Sequence, residues 1–170
     1  MQAYALQLAP SSLPSFRAAL AGAAFLGAAV GTAVLLLALL ADQLFPGYAP
    51  KLAAAALFEK QSWFALGFVA VLWSPVVETL VGQWMSISLM RCLSTSMRPS
   101  VIAGASVFSI GHMASGGGWE QGIVTAIVGA VLSWRYVRGL EYGMPGAIAL
   151  TAMVHASNNA VALCGIALFG

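Results

Sequence analysis

Apolar residues fall in long unbroken blocks along this chain, and polar clusters mark where each block stops. The first block runs from about Ala18 to Leu40. DQLFPGYAP ends it, and KLAAAALFEKQ follows as a short stretch suited to lying along a membrane interface. A second block runs from about Ser62 to Met90 and contains Pro75, which kinks or opens a helix by freeing a carbonyl one turn earlier. The third, from about Ser100 to Ala114, is short, and Gly116, Gly117 and Gly118 follow it as a loop. The fourth spans about Gln121 to Val137 and the fifth about Met144 to Phe169. Blocks of this length, without ten-residue alternating strands, predict membrane-spanning helices. The expected fold is all-α: a polytopic transmembrane helix bundle with about five spans. In the first span Gly27 and Gly31 form a GxxxG pair that would let another helix approach closely.

Composition strengthens this reading. The chain is 61% hydrophobic and only 7% charged, against about 25% charged residues in soluble domains. Mean hydropathy is +0.91. The length of 170 residues suits one domain. A formal charge of +2 comes from seven scattered basic residues, which form no patch, so no nucleic-acid partner is expected. MQAYALQLAPSSLPSF lacks a positive n-region and is not expected to be a cleaved signal peptide. Cys92 and Cys164 fall near opposite ends of their spans, so no disulfide is expected between them, and no CxxC spacing suggests structural zinc. Arg17, Arg91, Arg98, Arg135 and Arg138 fall on one side of a five-span arrangement, and Lys51 and Lys60 on the other. That bias predicts a cytoplasmic N-terminus.

The candidate chemistry lies inside the blocks. Both histidines, His112 and His155, and one acid, Glu78, sit in apolar spans. Measured from the cytoplasmic helix ends, each lies about 11–12 residues in, roughly 16–18 Å deep. Three helices would therefore deliver their ionisable groups to one layer near the middle of the bilayer. A charge at helix centre costs about 2.5–3.5 kcal/mol, so such groups mark function more often than chance. The plain alternative is that each is a satisfied interhelical hydrogen bond. Asn159 follows His155 by four residues and Phe108 precedes His112 by four, so each pair shares a helix face. Phe108 suits packing, or walling the site. Asn158 points about 100° away. Ser109, Ser115 and Ser157 are nucleophiles only in principle: there is no G-x-S-x-G elbow, and no HExxH either.

PVVE, FSIGH (Phe108 to His112) and HASNN (His155 to Asn159) resemble, in order and spacing, the motifs of the CPBP intramembrane proteases. That family includes the type II CAAX prenyl endopeptidases and bacterial relatives linked to bacteriocin immunity. The likeness covers about residues 70 to 162, including GIVTAIVGAVLSWRYVRG between the second and third motifs. It divides the chain into an N-terminal segment (1–17), a first transmembrane helix with its interfacial connection (18–61) and a CPBP-like protease core (62–170). The first motif departs from the family's EExxxR: Glu78 matches the first Glu, Thr79 replaces the second and Gln83 replaces the Arg. Neutral hydrogen bonds would stand in for an ion pair, and Glu78 would lack an adjacent like charge.

The resemblance implies peptide-bond hydrolysis within the bilayer, on a membrane-anchored protein or peptide substrate. Glu78 suits the general base, with His112 holding the same water. His155 and Asn159, on one face, suit donation to the oxyanion. No cofactor is expected, although Glu78, His112 and His155 are also a possible catalytic zinc set. A bacterial inner membrane is the expected location. The competing readings are an inactive binding or immunity protein of the same fold, a proton or ion carrier, and a purely structural subunit. Carriers usually have more spans and internal repeats, and this chain has no repeat.

Overall fold

The computed structural model describes residues 13–44 and 62–169. The proposed interfacial stretch, both lysines and most of the N-terminal segment lie outside the described residues. Among the described residues there are helices and no strand. Five rods follow one another: α1 (Phe16–Leu44), α2 (Trp63–Leu93), α3 (Met97–His112), α4 (Gly118–Gly139) and α5 (Gly143–Phe169). Among the described residues, three helical stretches are long and apolar enough to cross a membrane. The last of them, Met97–Leu168, contains α3, α4 and α5.

The bends in that run need glycine. Gly116 (φ 101°), Gly118 (φ 69°) and Gly143 (φ 76°) occupy left-handed backbone that side chains with a Cβ rarely adopt. The sequence reading made Gly116–Gly118 a loop. The structure agrees: the backbone leaves helical geometry at Gly116 (φ 101°, ψ 6°), where the chain kinks between α3 and α4.

Named contacts fix the packing. Gly27 and Gly31 of α1 face Val154 and Asn158 of α5, and Leu35 faces Gly165, so α1 and α5 run parallel. A Cβ on Gly31 would lie 2.9 Å from the Asn158 carbonyl oxygen, and one on Gly27 would collide with the Val154 carbonyl. The GxxxG pair thus lets two backbones meet. Helix α3 runs antiparallel to α4, with Gly104 against Ser133 and Phe108 against Gly129. It also runs antiparallel to α2, with Phe108 against Gly82 and Ile87 against Gly104. Direction therefore alternates from rod to rod. The buried core joins Ala19, Ala23, Phe108, Val128, Leu132, Leu150 and Val154. Large apolar side chains such as Phe64, Leu72, Leu89, Ile102 and Ile127 point outward. An apolar exterior is what a lipid solvent selects, and together with the long apolar runs it makes this an integral membrane protein.

Candidate active site

Helix α2 is the irregular element. Two π-wound segments, Phe68–Trp73 and Thr79–Met85, flank the α-helical turn Ser74–Glu78. In the first of them the Ser74 N–H bonds to the Val69 carbonyl, five residues back. The next rung in that register would run from residue 75 to the Ala70 carbonyl, and Pro75, fully buried, has no N–H to make it. The Asn159 amide nitrogen takes the place of that donor, 2.8 Å from the Ala70 oxygen. Such insertions of one residue per turn recur at functional sites because they re-aim the side chains that follow.

Glu78 closes this stretch. Its Oε2 lies 3.8 Å from His112 Nε2 and 3.6 Å from His155 Nε2. The structure thus brings the acid of α2, the C-terminal residue of α3 and the mid-helix histidine of α5 to one point. The Ser74 hydroxyl donates to Glu78 Oε1, while Oε2 has no hydrogen-bond partner among the described residues. Separations of 3.6 and 3.8 Å exceed a hydrogen bond and suit a water between the groups.

The two histidines differ. His112 is about a quarter exposed, at 26%, and its Nδ1 lies 2.9 Å from the Phe108 carbonyl, an acceptor only. A neutral His112 therefore carries its proton on Nδ1 and turns a bare Nε2 toward Glu78. His155 is 4% exposed, and its Nδ1 has no partner among the described residues. With Glu78 beside its Nε2, the favoured tautomer puts the proton on Nε2, as a donor. Phe108 packs on both rings, with centroids 4.5 Å from His112 and 5.4 Å, edge-on, from His155. Gly82 and Gly129 leave room for it: a Cβ on Gly129 would sit 3.1 Å from the Phe108 side chain.

The remaining candidates fall around this centre. Thr79 and Gln83 are fully buried, yet Thr79 Oγ1 and both amide atoms of Gln83 lack partners among the described residues. The neutral hydrogen bonds expected there in place of an ion pair are not formed between them. Asn158, set aside on helical angle, donates to Asn159 Oδ1 at 3.2 Å. Ser109 Oγ is engaged with the Gly122 carbonyl at 2.7 Å and Ser115 Oγ with the His112 carbonyl at 2.9 Å. Neither hydroxyl faces a base. Sequence reasoning missed Ser74 and the Ala70 carbonyl. The i, i+4 spacing of Ser74 and Glu78 was the available signal for the first. The second depends on π winding, which leaves no mark on the sequence.

A zinc ion at this point would draw on Glu78, His112 and His155, whose facing atoms stand 3.8 and 3.6 Å apart, against roughly 3.4 Å between ligands of one tetrahedral zinc. Among the described residues no group of three or more His, Cys, Asp or Glu is arranged to hold a metal ion. Cys92 and Cys164 are both unpaired and exposed.

One carboxylate and two imidazoles, from three different helices, thus meet within an apolar helical bundle. The family model described as Type II CAAX prenyl endopeptidase Rce1-like matches residues 60–161, more than half of the chain, and the chain belongs to that family. The matched stretch holds Glu78, His112, His155 and Asn159. It is a protease family, in keeping with the CPBP resemblance of the three motifs. No curated protein and no solved structure matches the chain.

Proposed function

We propose that this protein is an intramembrane endopeptidase that cleaves a membrane-anchored protein or peptide, with residues 62–170 as its catalytic core. One observation carries the reading: the unpartnered Oε2 of Glu78 stands 3.8 and 3.6 Å from the Nε2 atoms of two histidines on two other helices. A water bridging Glu78 Oε2 and the bare Nε2 of His112 is held by two acceptors, with its lone pair free to attack. Glu78 takes a proton from it as the oxygen adds to the substrate carbonyl carbon. The Nε2–H of His155 donates to the oxyanion, a role worth about 2.7–4 kcal/mol per donor. The Glu78 carboxyl then returns the proton to the leaving nitrogen as the C–N bond breaks. No step is routed through a metal.

We read the alternating rods as five crossings. They put Arg17, Arg91, Arg98, Arg135 and Arg138 at one end, which we assign to the cytoplasm with the N-terminus. A bacterial inner membrane suits the short chain.

The test is cleavage of a library of peptides with apolar C-terminal segments by the purified, reconstituted protein. We expect cleavage by the parent, loss of it in Glu78→Ala and His112→Ala, and no effect of a chelator. Loss of activity to the chelator with recovery on adding zinc would bring a metal into the mechanism. A folded parent that cleaves nothing would leave the binding or immunity reading, and proton flux without cleavage the carrier.

A further inference from the structure

We propose that the groove between α1 and the C-terminal end of α4 binds an anionic phospholipid, with the phosphodiester held by Arg135 and Arg138 and an acyl chain laid along α1. This site stands apart from the Glu78 centre and needs no cleavage activity.

Small residues open the groove. Ala18, Gly22 and Leu26 recur every fourth residue and so share one face of α1 over about 12 Å. Ala18 and Gly22 are exposed, and a Cβ on Gly22 would meet nothing within 4 Å. Gly27 and Gly31 admit the backbone of α5, whereas Gly22 faces open space. Trp134, Arg135 and Arg138 of α4 form the other wall, and the groove holds about 440 Å³, an ordinary volume for a ligand site. Its mouth is tied down. The Tyr142 hydroxyl donates to the Pro14 carbonyl at 2.9 Å, and the Tyr142 ring packs on Phe16 with centroids 5.8 Å apart.

Charge and polarity say what fits. The arginines stand where α4 ends and α1 begins, so the groove is cationic at its mouth and apolar toward Leu26. That is the order of a phospholipid from headgroup to chain. Neither guanidinium is in an ion pair with a described residue. Glu141 also lines the mouth. Two guanidinium groups and one carboxylate leave one net positive charge, which a single phosphodiester neutralises. Arginine's planar fork matches phosphate oxygens, and basic pockets between helices recur as sites for anionic headgroups. Trp134 and Tyr142 are of the types that settle at headgroup level. The plain alternative is that the arginines only reach for water and set orientation. Orientation needs no groove and is untouched by filling one.

The test titrates the full chain, purified in detergent and freed of lipid, with phosphatidylglycerol, and counts bound lipid by native mass spectrometry. We expect a single tightly held molecule per chain. Arg135→Gln combined with Arg138→Gln should weaken its binding by about tenfold or more, because hydrogen bonds to a charged group are lost. Gly22→Leu keeps both arginines, fills the groove, and should weaken binding to a similar extent. Ala18→Leu is the second groove-filling variant, used if Gly22→Leu does not fold; circular dichroism and the lipid-free unfolding midpoint check each. Inorganic phosphate carries the charge without chains, and diacylglycerol carries the chains without charge. Both should bind far more weakly than the phospholipid. Unchanged phosphatidylglycerol binding in the arginine pair, or in a folded groove-filling variant, would mark general lipid coating and overturns the proposal. Phosphate or diacylglycerol bound as tightly as the phospholipid overturns it too, as does a dimer of the chain that takes up no lipid.

Discussion

Helix α5 runs in regular α winding from Gly143 to Phe169, while α2, over a similar length, leaves that winding twice between Phe68 and Met85. Both deliver a side chain to the same point. On α5 the site face is built by simple periodicity: Thr151, His155 and Asn159 recur every fourth residue, and the neighbouring face, about 100° round, meets the α1 backbone at Val154 and Asn158. On α2 the face is set by Pro75, by a π-register rung and by a side chain borrowed from α5. The regular helix is a fixed wall held by close backbone packing. The irregular one holds Glu78, the proposed base, and its shape is kept by single polar contacts. Disturbing α5 should cost mainly through lost packing, and disturbing α2 mainly through lost aim.

The largest effect that sharpens this contrast is at His155, where the wall itself carries chemistry. His155→Ala should lower kcat about 10²–10³-fold by removing the proposed oxyanion donor, with little change in KM, read in the peptide-cleavage assay. Next comes the wall's support. Gly27→Leu forces a side chain into the Val154 carbonyl, and overpacking of this kind costs about 1–3 kcal/mol or more. Activity and the unfolding midpoint should fall together, measured by thermal unfolding in detergent beside the same assay; lost activity at unchanged stability would contradict the wall's passive role.

A smaller effect belongs to the irregular helix. Ser74→Ala removes the donor to Glu78 Oε1. A hydrogen bond to a charged group is worth about 1.5–3 kcal/mol, so kcat should drop by about tenfold or somewhat more at a nearly unchanged unfolding midpoint. The smallest lies just beyond the site on α2. Gln83 is fully buried with both amide atoms unpartnered among the described residues. Replacing an unsatisfied polar group by an apolar one of similar shape is near neutral or stabilising. Gln83→Met should therefore hold or raise the unfolding midpoint, and a clear drop would mean that the amide is hydrogen-bonded.

The long apolar blocks determined that this is a helical membrane protein, because burying a backbone in lipid leaves a chain few choices. Glu78, His112 and His155 were legible as a group because ionisable side chains are rare and costly at such depth. Glycine spacing announced a close helix contact at Gly27 and Gly31, although nothing in the spacing named α5 as the partner. Helical periodicity put Asn159 on the His155 face, and there it stopped. It could not show the Asn159 amide turned to the Ala70 carbonyl, nor the Asn158 side chain supporting it. Winding depends on which hydrogen bonds neighbouring helices complete, and proline only removes one. The sequence alone therefore determined which groups enter the membrane and on which helices. The tertiary structure decided which atoms meet, because a freed carbonyl can find its donor only once a second helix stands beside it.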